Sequence, residues 1–239
     1  MIPKIIHYCW FGGNEKSELV KKCIETWEKY LPEYEIIEWN ESNFDVNCCE
    51  FTKRAYENRK WAFVADYARL KALKEHGGIY LDTDIELVKP FDEYLLHHQM
   101  FTCFEDLTHI STGCVGAVAN HEVLNKFIDI YDKYFDEEDN KGFIPNTEIL
   151  SSMLFPNGVE TIDNIVELEN ITIYTRNYFL AKDYVSGKVT KTDNTYCIHH
   201  YDGTWKSGKD KFFDKIKLGI RRIIGEKRYN KLKKKIKNK

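Results

Sequence analysis

A run rich in Ala, Leu and Lys from Lys60 to His76 stops at Gly77-Gly78. The ten residues that begin there, Gly77-Gly78-Ile79-Tyr80-Leu81-Asp82-Thr83-Asp84-Ile85-Glu86, carry two carboxylates one residue apart. A helix closed by a glycine and followed by a strand fits both halves. As a strand, the segment puts Tyr80, Asp82, Asp84 and Glu86 on one face and Ile79, Leu81, Thr83 and Ile85 on the other. Carboxylates gathered this closely raise one another's pKa unless a cation or solvent compensates. Hard oxygen donors favour Mg²⁺ or Mn²⁺, which take one or two protein carboxylates and fill their shell with water and phosphate oxygens. The pattern therefore points to a metal–diphosphate site, the alternative being an edge strand with a solvated acidic face.

The surroundings bear on that choice. Asp66 and Arg69 stand at i and i+3 on the preceding helix, either as a surface ion pair or with Arg69 turned to phosphate and Asp66 to sugar hydroxyls. Ile2 to Trp10 suits a buried first strand, and Gly12-Gly13 a tight loop at its carboxyl end, where open α/β sheets bind ligands. Trp10 is then a base-stacking or a core aromatic, and His7 a donor contact or a satisfied core histidine. Further elements alternate: a helix at 17–30, a strand at 34–39, one long helix at 52–76, and the Asp-x-Asp strand ending near Pro90. Strands at 100–104 and 114–119, a helix at 121–135, a helix at 149–155 capped by Asn146, and strands at 171–174 and 196–199 complete an α/β nucleotide-binding layering.

The pattern Ala65-Asp66-Tyr67-Ala68-Arg69 followed by Gly77-Gly78-Ile79-Tyr80-Leu81-Asp82-Thr83-Asp84 resembles the DXD core of sugar-transferring glycosyltransferases. That family includes the initiating α-1,6-mannosyltransferases and bacterial capsular polysaccharide enzymes, and is similar to the catalytic domain of the clostridial glucosylating toxins. Ile2-Pro3-Lys4-Ile5-Ile6-His7-Tyr8-Cys9-Trp10-Phe11-Gly12-Gly13 resembles its first strand and loop. His199-His200-Tyr201-Asp202-Gly203-Thr204-Trp205 resembles its closing motif, with Thr204 in the usual Ser place. The resemblance implies a GT-A fold, a UDP-sugar donor, Mn²⁺ or Mg²⁺, and transfer with retention at the anomeric carbon.

On that resemblance Asp84 binds the metal, Asp82 meets the ribose or a metal-bound water, and Tyr80 holds the nucleotide. Trp10 lies against the base, Asp66 and Arg69 reach the sugar and phosphate, and Thr204 and Trp205 close over the diphosphate. Neutral imidazole suits Mn²⁺, and neighbouring residues of an extended chain point to opposite sides, so one of His199 and His200 faces the site. His200 is the preferred ligand. The acceptor implied is a glycan or lipid-linked glycan of surface polysaccharide synthesis. A HAD-like phosphohydrolase and a non-catalytic nucleotide- or glycan-binding protein are the rival readings.

Charge divides the chain in two. Residues 206–239 hold 15 Lys and Arg against three acidic residues, a charge of +12, which leaves −15 on residues 1–205. Phe212, Phe213, Ile216, Ile220, Ile223 and Ile224 recur among these cations at helical spacing. The expectation is a transferase domain over 1–205 and a basic amphipathic helical tail over 206–239. Its partner is an anionic membrane surface, in preference to the protein's own acidic body or to nucleic acid. With no basic leader and no long apolar run, the expected location is cytoplasmic, peripheral on the inner face of the plasma membrane. Seven cysteines without CxxC spacing imply neither a disulfide framework nor a zinc site, and the adjacent Cys48-Cys49 pair has no role in this reading.

Overall fold

The computed structural model describes residues 1–135, 142–159, 162–203, 216, 218–221, 223, 225, 228 and 229. The chain opens with β1 (Ile5–Cys9), α1 (Glu18–Tyr30) and β2 (Glu35–Trp39), a right-sized βαβ unit whose two strands pair in parallel. Ser17 caps α1 by accepting from Val20 N at 3.3 Å, and Val20, Cys23 and Trp27 bury one stripe of the helix. Next come α2 (Glu50–Glu57), α3 (Trp61–His76), β3 (Gly78–Leu81), β4 (Ile85–Leu87), α4 (Glu93–Leu96), β5 (Met100–Cys103) and β6 (Cys114–Ala117). Then follow α5 (Glu122–Asp132), α6 (Asn146–Leu154), β7 (Val166–Leu168), β8 (Ile171–Tyr174), α7 (Arg176–Phe179) and β9 (Cys197–His199).

Seven strands form one mixed sheet in the order β2-β1-β3-β6-β5-β8-β7. One face is packed by α2, α3 and α5 through Phe51, Tyr67, Leu73, Phe127 and Tyr131; the other, toward α1, by Trp27, Phe101, Phe179 and Tyr196. Trp27 is fully buried and donates its indole N–H to Ile85 O at 2.7 Å, so α1 supports the segment after β3. No helix among the described residues is long and apolar enough to cross a membrane. Of the expected tail, Ile216, residues 218–221, Ile223, Arg228 and Tyr229 are helical, Gly225 is described but not helical, and the rest lies outside the described residues.

Two expected elements are divided. The helix expected over 52–76 is two helices, because Arg59 takes the left-handed conformation at φ 54° and ends α2 before α3 begins. The expected continuous Asp-x-Asp strand is also two strands. β3 stops at Leu81, Ile85 N donates to Asp82 O at 2.9 Å to close a turn, and β4 pairs with β9 in a separate two-stranded sheet. The helix stop itself is as expected. Gly77 and Gly78 have φ of +66° and +104°, and a Cβ would stand 2.9 Å from Ala119 N at Gly77 and 2.7 Å from Ile5 O at Gly78.

His7 belongs to this framework and not to a donor cleft. It is fully buried; Trp39 Nε1 donates to its Nδ1 at 3.1 Å, and its Nε2 lies 2.8 Å from Gly77 O. An indole nitrogen only donates, so Nδ1 is the acceptor and Nε2 carries the proton that bonds Gly77. The neutral ring thereby ties β1 to β2 and to the α3–β3 junction. Burial pushes its pKa down from 6.5 to about 4. A histidine depressed on folding stabilises fully above its unfolded pKa and loses that contribution as pH falls. Stability to urea should therefore drop by on the order of 3 kcal/mol from this group between pH 6.5 and 4. His7→Gln should flatten that part of the profile, and an unchanged slope would show that another group controls it.

Candidate functional site

Along the carboxyl ends of β1 and β3 runs a cleft of about 800 Å³, walled by Trp10, Trp61, Arg69, Tyr80, Asn146 and Tyr201 among others. Its floor is a buried ion cluster. Arg69, 6% exposed, faces Asp66 Oδ1 at 3.1 Å through Nη2 and Asp82 Oδ1 at 3.1 Å through Nη1. Nη1 also donates to Thr112 O at 2.8 Å, Nε to Ala65 O at 3.2 Å, and the guanidinium lies 4.3 Å from the Tyr80 ring centroid. Two of its N–H groups are thus hydrogen-bonded to backbone carbonyls, while the two carboxylates meet its charge as ion pairs. Tyr80 completes the support by donating its hydroxyl to Asp82 Oδ1 at 3.1 Å.

Asp66 sits beside the start of α6. Asn146 N approaches its Oδ2 at 3.4 Å, and Asn146 Oδ1 accepts from Thr112 Oγ1 at 2.6 Å. Asn146 is thus the first residue inside α6, with Pro145 as the cap, rather than the capping residue expected. Its Nδ2 is buried without a partner. Burial raises the Asp66 pKa to about 6, although Arg69 pulls it back.

The second carboxylate is held from the other end of the chain. The antiparallel pairing of β4 with β9 sets Ile85 opposite His199, and from there His199 Nε2 reaches Asp84 Oδ1 at 3.1 Å. Asp202 N donates to Asp84 Oδ2 at 2.8 Å. Burial would raise the Asp84 pKa, but His199 and the Asp202 amide overcome it and hold the carboxyl well below its usual range. The converse holds for His199: burial lowers its pKa, but Asp84 outweighs that and lifts it to about 9.

Asp82, Asp84 and His199 each offer a ligand atom within 4.8 Å of one another. Two carboxylates and an imidazole suit Mn²⁺ or Mg²⁺, and Nδ1 of His199 is buried without a hydrogen-bond partner. The donor set therefore fits a divalent ion. Gly113 makes room for it: a Cβ there would stand 2.7 Å from Asp82 Oδ2 and 3.5 Å from the His199 ring.

The expected ligand His200 points elsewhere. Its Nε2 bonds Glu86 Oε2 at 2.8 Å, across the same two-stranded sheet but on the opposite face from His199. The alternation expected for the pair is present and its assignment is reversed. Glu86 consequently does not join Asp82 and Asp84. Trp10 lines the cleft, donating its indole N–H to Asn14 O at 2.7 Å. Thr204 and Trp205 lie outside the described residues.

One wall was not foreseen from sequence. The loop between β5 and β6 brings Glu105, Asp106 and His109 to the cleft. His109 Nδ1 is 3.0 Å from Asp106 Oδ1, which offsets the effect of burial and leaves Asp106 at a pKa of about 2; Glu105 is pushed up by burial. Ser111-Thr112-Gly113, visible in the sequence as a turn before a strand, was the available signal for a loop here.

Comparison with known proteins matches these elements. Residues 17–101 match the family model described as a glycosyltransferase sugar-binding region containing a DXD motif. An uncharacterized glycosyltransferase, L373, of Acanthamoeba polyphaga mimivirus is 33% identical over 138 residues, covering 52% of this chain and 53% of that protein. Inositol phosphoceramide mannosyltransferase 3 of Schizosaccharomyces pombe is 28% identical over 130 residues, covering 52% of this chain and 35% of that protein. The chain thus spans about half, or less, of the curated relatives it matches. The solved structure of the PaToxG glycosyltransferase superposes with a TM-score of 0.50 at 21% identity, over 65% of this chain and 69% of that one. The likeness is one of fold, the mixed α/β layering of the GT-A type.

The ion cluster should show itself in stability. Arg69→Met leaves Asp66 buried and Asp82 half-buried without their cation and should cost about 3 kcal/mol in denaturant unfolding. Asp66→Asn in the same background should recover part of that loss. Wild-type stability in the single variant would mean that the cluster is not buried in solution.

Proposed function

We propose that this protein transfers a sugar from a nucleotide-sugar donor to a glycan, a reading supported by the match of residues 17–101 to a DXD-type glycosyltransferase sugar-binding region. The donor in this reading is a UDP-sugar, held with Mn²⁺ or Mg²⁺, and the acceptor a glycan or lipid-linked glycan of surface polysaccharide synthesis. The observation that carries the reading is the convergence of Asp82, Asp84 and His199 within 4.8 Å beside the Asp66–Arg69 pair.

Asp82, Asp84 and His199 would hold the ion, which when bound supplies positive charge against the negative charge that grows on the departing diphosphate. Trp10 offers an aromatic face to the base. Asp66 binds sugar hydroxyls: Arg69 takes one oxygen, and the long 3.4 Å approach of Asn146 N leaves the other able to accept. Arg69 lines the cleft, where it meets sugar or phosphate, and it fixes Asp66 and Asp82. Tyr80 does the same for Asp82. Transfer breaks the bond from the anomeric carbon to the phosphate oxygen and forms one to the acceptor hydroxyl oxygen. The hydroxyl proton passes to the released diphosphate, on the same face, with retention.

The HAD-like alternative is not favoured, since it needs a carboxylate free to attack, whereas Asp82 is engaged by Arg69 and by the Tyr80 hydroxyl. The tail over 206–239 is proposed to hold the protein on an anionic membrane at the inner face of the cell. Exposed Ile216, Ile220 and Ile223 among lysines and arginines support that.

Incubation with a panel of UDP- and GDP-sugars, with Mn²⁺ or EDTA, should give metal-dependent nucleotide release with at least one donor. Asp84→Ala should lower turnover by about a hundredfold or more, given what a fixed charge contributes to such a barrier. His199→Ala should weaken metal activation strongly while His200→Ala retains it. Turnover indifferent to EDTA and to Asp84→Ala would overturn the mechanism, and absence of turnover with retained nucleotide binding would favour a non-catalytic binding protein. For the tail, flotation with anionic vesicles should exceed that with neutral ones and fall in high salt.

A further inference from the structure

Two of the seven cysteines stand apart from the rest. Cys9, Cys23, Cys103, Cys114 and Cys197 are buried, whereas Cys48 is exposed and Cys49 is half-buried. The two are sequence neighbours at the entrance to α2. Cys49 is the N-cap residue, in extended conformation at φ −152° and ψ 163°, and makes no side-chain capping bond.

Both thiols gather on one hydroxyl. Cys48 Sγ lies 3.7 Å and Cys49 Sγ 3.4 Å from Thr52 Oγ1, which itself donates to Cys49 O at 3.0 Å. Thr52 is fully buried, so this hydroxyl is fixed in place. Its one proton is directed at the carbonyl, which leaves its oxygen to accept from a thiol. With Cys48 beside it and the Thr52 hydroxyl on it, the Cys49 thiol is the more acidic of the pair.

We propose that Cys48 and Cys49 form a reversible oxidation site at which a peroxide closes the two thiols into a disulfide between sequence neighbours. The Cys49 thiolate attacks one peroxide oxygen and the O–O bond breaks, leaving a sulfenic acid on Cys49 and one molecule of water. The Cys48 sulfur then attacks the Cys49 sulfur, the S–O bond breaks, and a second water leaves. Two thiols thereby give up two electrons and two protons, and the peroxide is reduced to two waters.

The backbone makes this bridge labile. Adjacent α-carbons across a trans peptide are about 3.8 Å apart, below the roughly 4.4–6.8 Å spanned by ordinary disulfides. Strain of that kind raises the reduction potential and makes the bond easy to reverse, the behaviour of a switch rather than a structural staple. Closing it withdraws both sulfurs from Thr52 and resets the start of α2. That helix carries Tyr56, whose ring stands edge-on to the cleft-lining Trp61 at 5.1 Å, so the pair lies one short helix from the cleft wall.

The test needs no glycosyl-transfer assay. The native protein is treated with hydrogen peroxide, blocked with an alkylating agent without reductant, digested, and examined by mass spectrometry. The peptide with both cysteines should be lighter by two hydrogens and unalkylated, and should return to two alkylated thiols after dithiothreitol. The reduced protein should bind one trivalent arsenical per chain, and Cys48→Ser or Cys49→Ser should abolish both results while leaving the circular dichroism spectrum unchanged. Independent alkylation of both residues after peroxide would overturn the proposal. So would oxidation of either to sulfinic acid without a bridge, or a disulfide only between two molecules.

Discussion

A guanidinium buried among two carboxylates governs the arrangement of this cleft. Arg69 is out of water, so its charge has to be met inside the protein, and Asp66, Asp82, Thr112 O and Ala65 O meet it. These partners come from three places: α3 itself for Asp66 and Ala65, the turn after β3 for Asp82, and the loop before β6 for Thr112. Through Asp66 and Thr112 the network reaches Asn146 and the start of α6. Four segments distant in sequence are thus held in one geometry by one cation, and the cleft floor is fixed electrostatically instead of by apolar packing.

The charge of the walls has a further meaning. Asp66, Asp82, Asp84, Glu105, Asp106 and Glu148 all line the cleft. Arg69 and Arg221 also line it, and Arg69 is paired with two of those carboxylates. A diphosphate approaching such a surface meets repulsion at short range. In the proposed reaction a divalent ion would therefore be part of what lets the cleft accept an anion at all, beyond any help it would give in bond breaking.

The sequence made the layering legible because it is written in local signals. Apolar periodicity found β1, α1, β2, β5, β6, α5 and β8, and the Gly77-Gly78 stop found the α3–β3 junction. What it missed is set by long-range contacts. Period 2 predicted Asp82, Asp84 and Glu86 on one face, but Arg69 and Tyr80 draw Asp82 one way while His199 and the Asp202 amide draw Asp84 another, and the strand breaks into a turn. Alternation said that one of His199 and His200 faces the site, yet which one depends on the register of β9 against β4, which no local pattern encodes. His7 was ambiguous for the same reason, since only the fold reveals Trp39 and Gly77 as its partners. The short strands β4 and β7 and helices α4 and α7 are too brief for any periodicity to register.

The pairing of β4 with β9 closes a very long loop, with His200 and Glu86 114 positions apart and Asp202 and Asp84 118. A two-stranded sheet of three residues each does little to offset the entropy of that closure. The strand is secured mainly by Tyr196 and Cys197 in the apolar layer beneath it. An ion shared by Asp82, Asp84 and His199 would add a cross-link between the two ends of that loop. Affinity for the ion and the final docking of the C-terminal strand are then two sides of one equilibrium, so whatever loosens β9 also weakens the ion's hold.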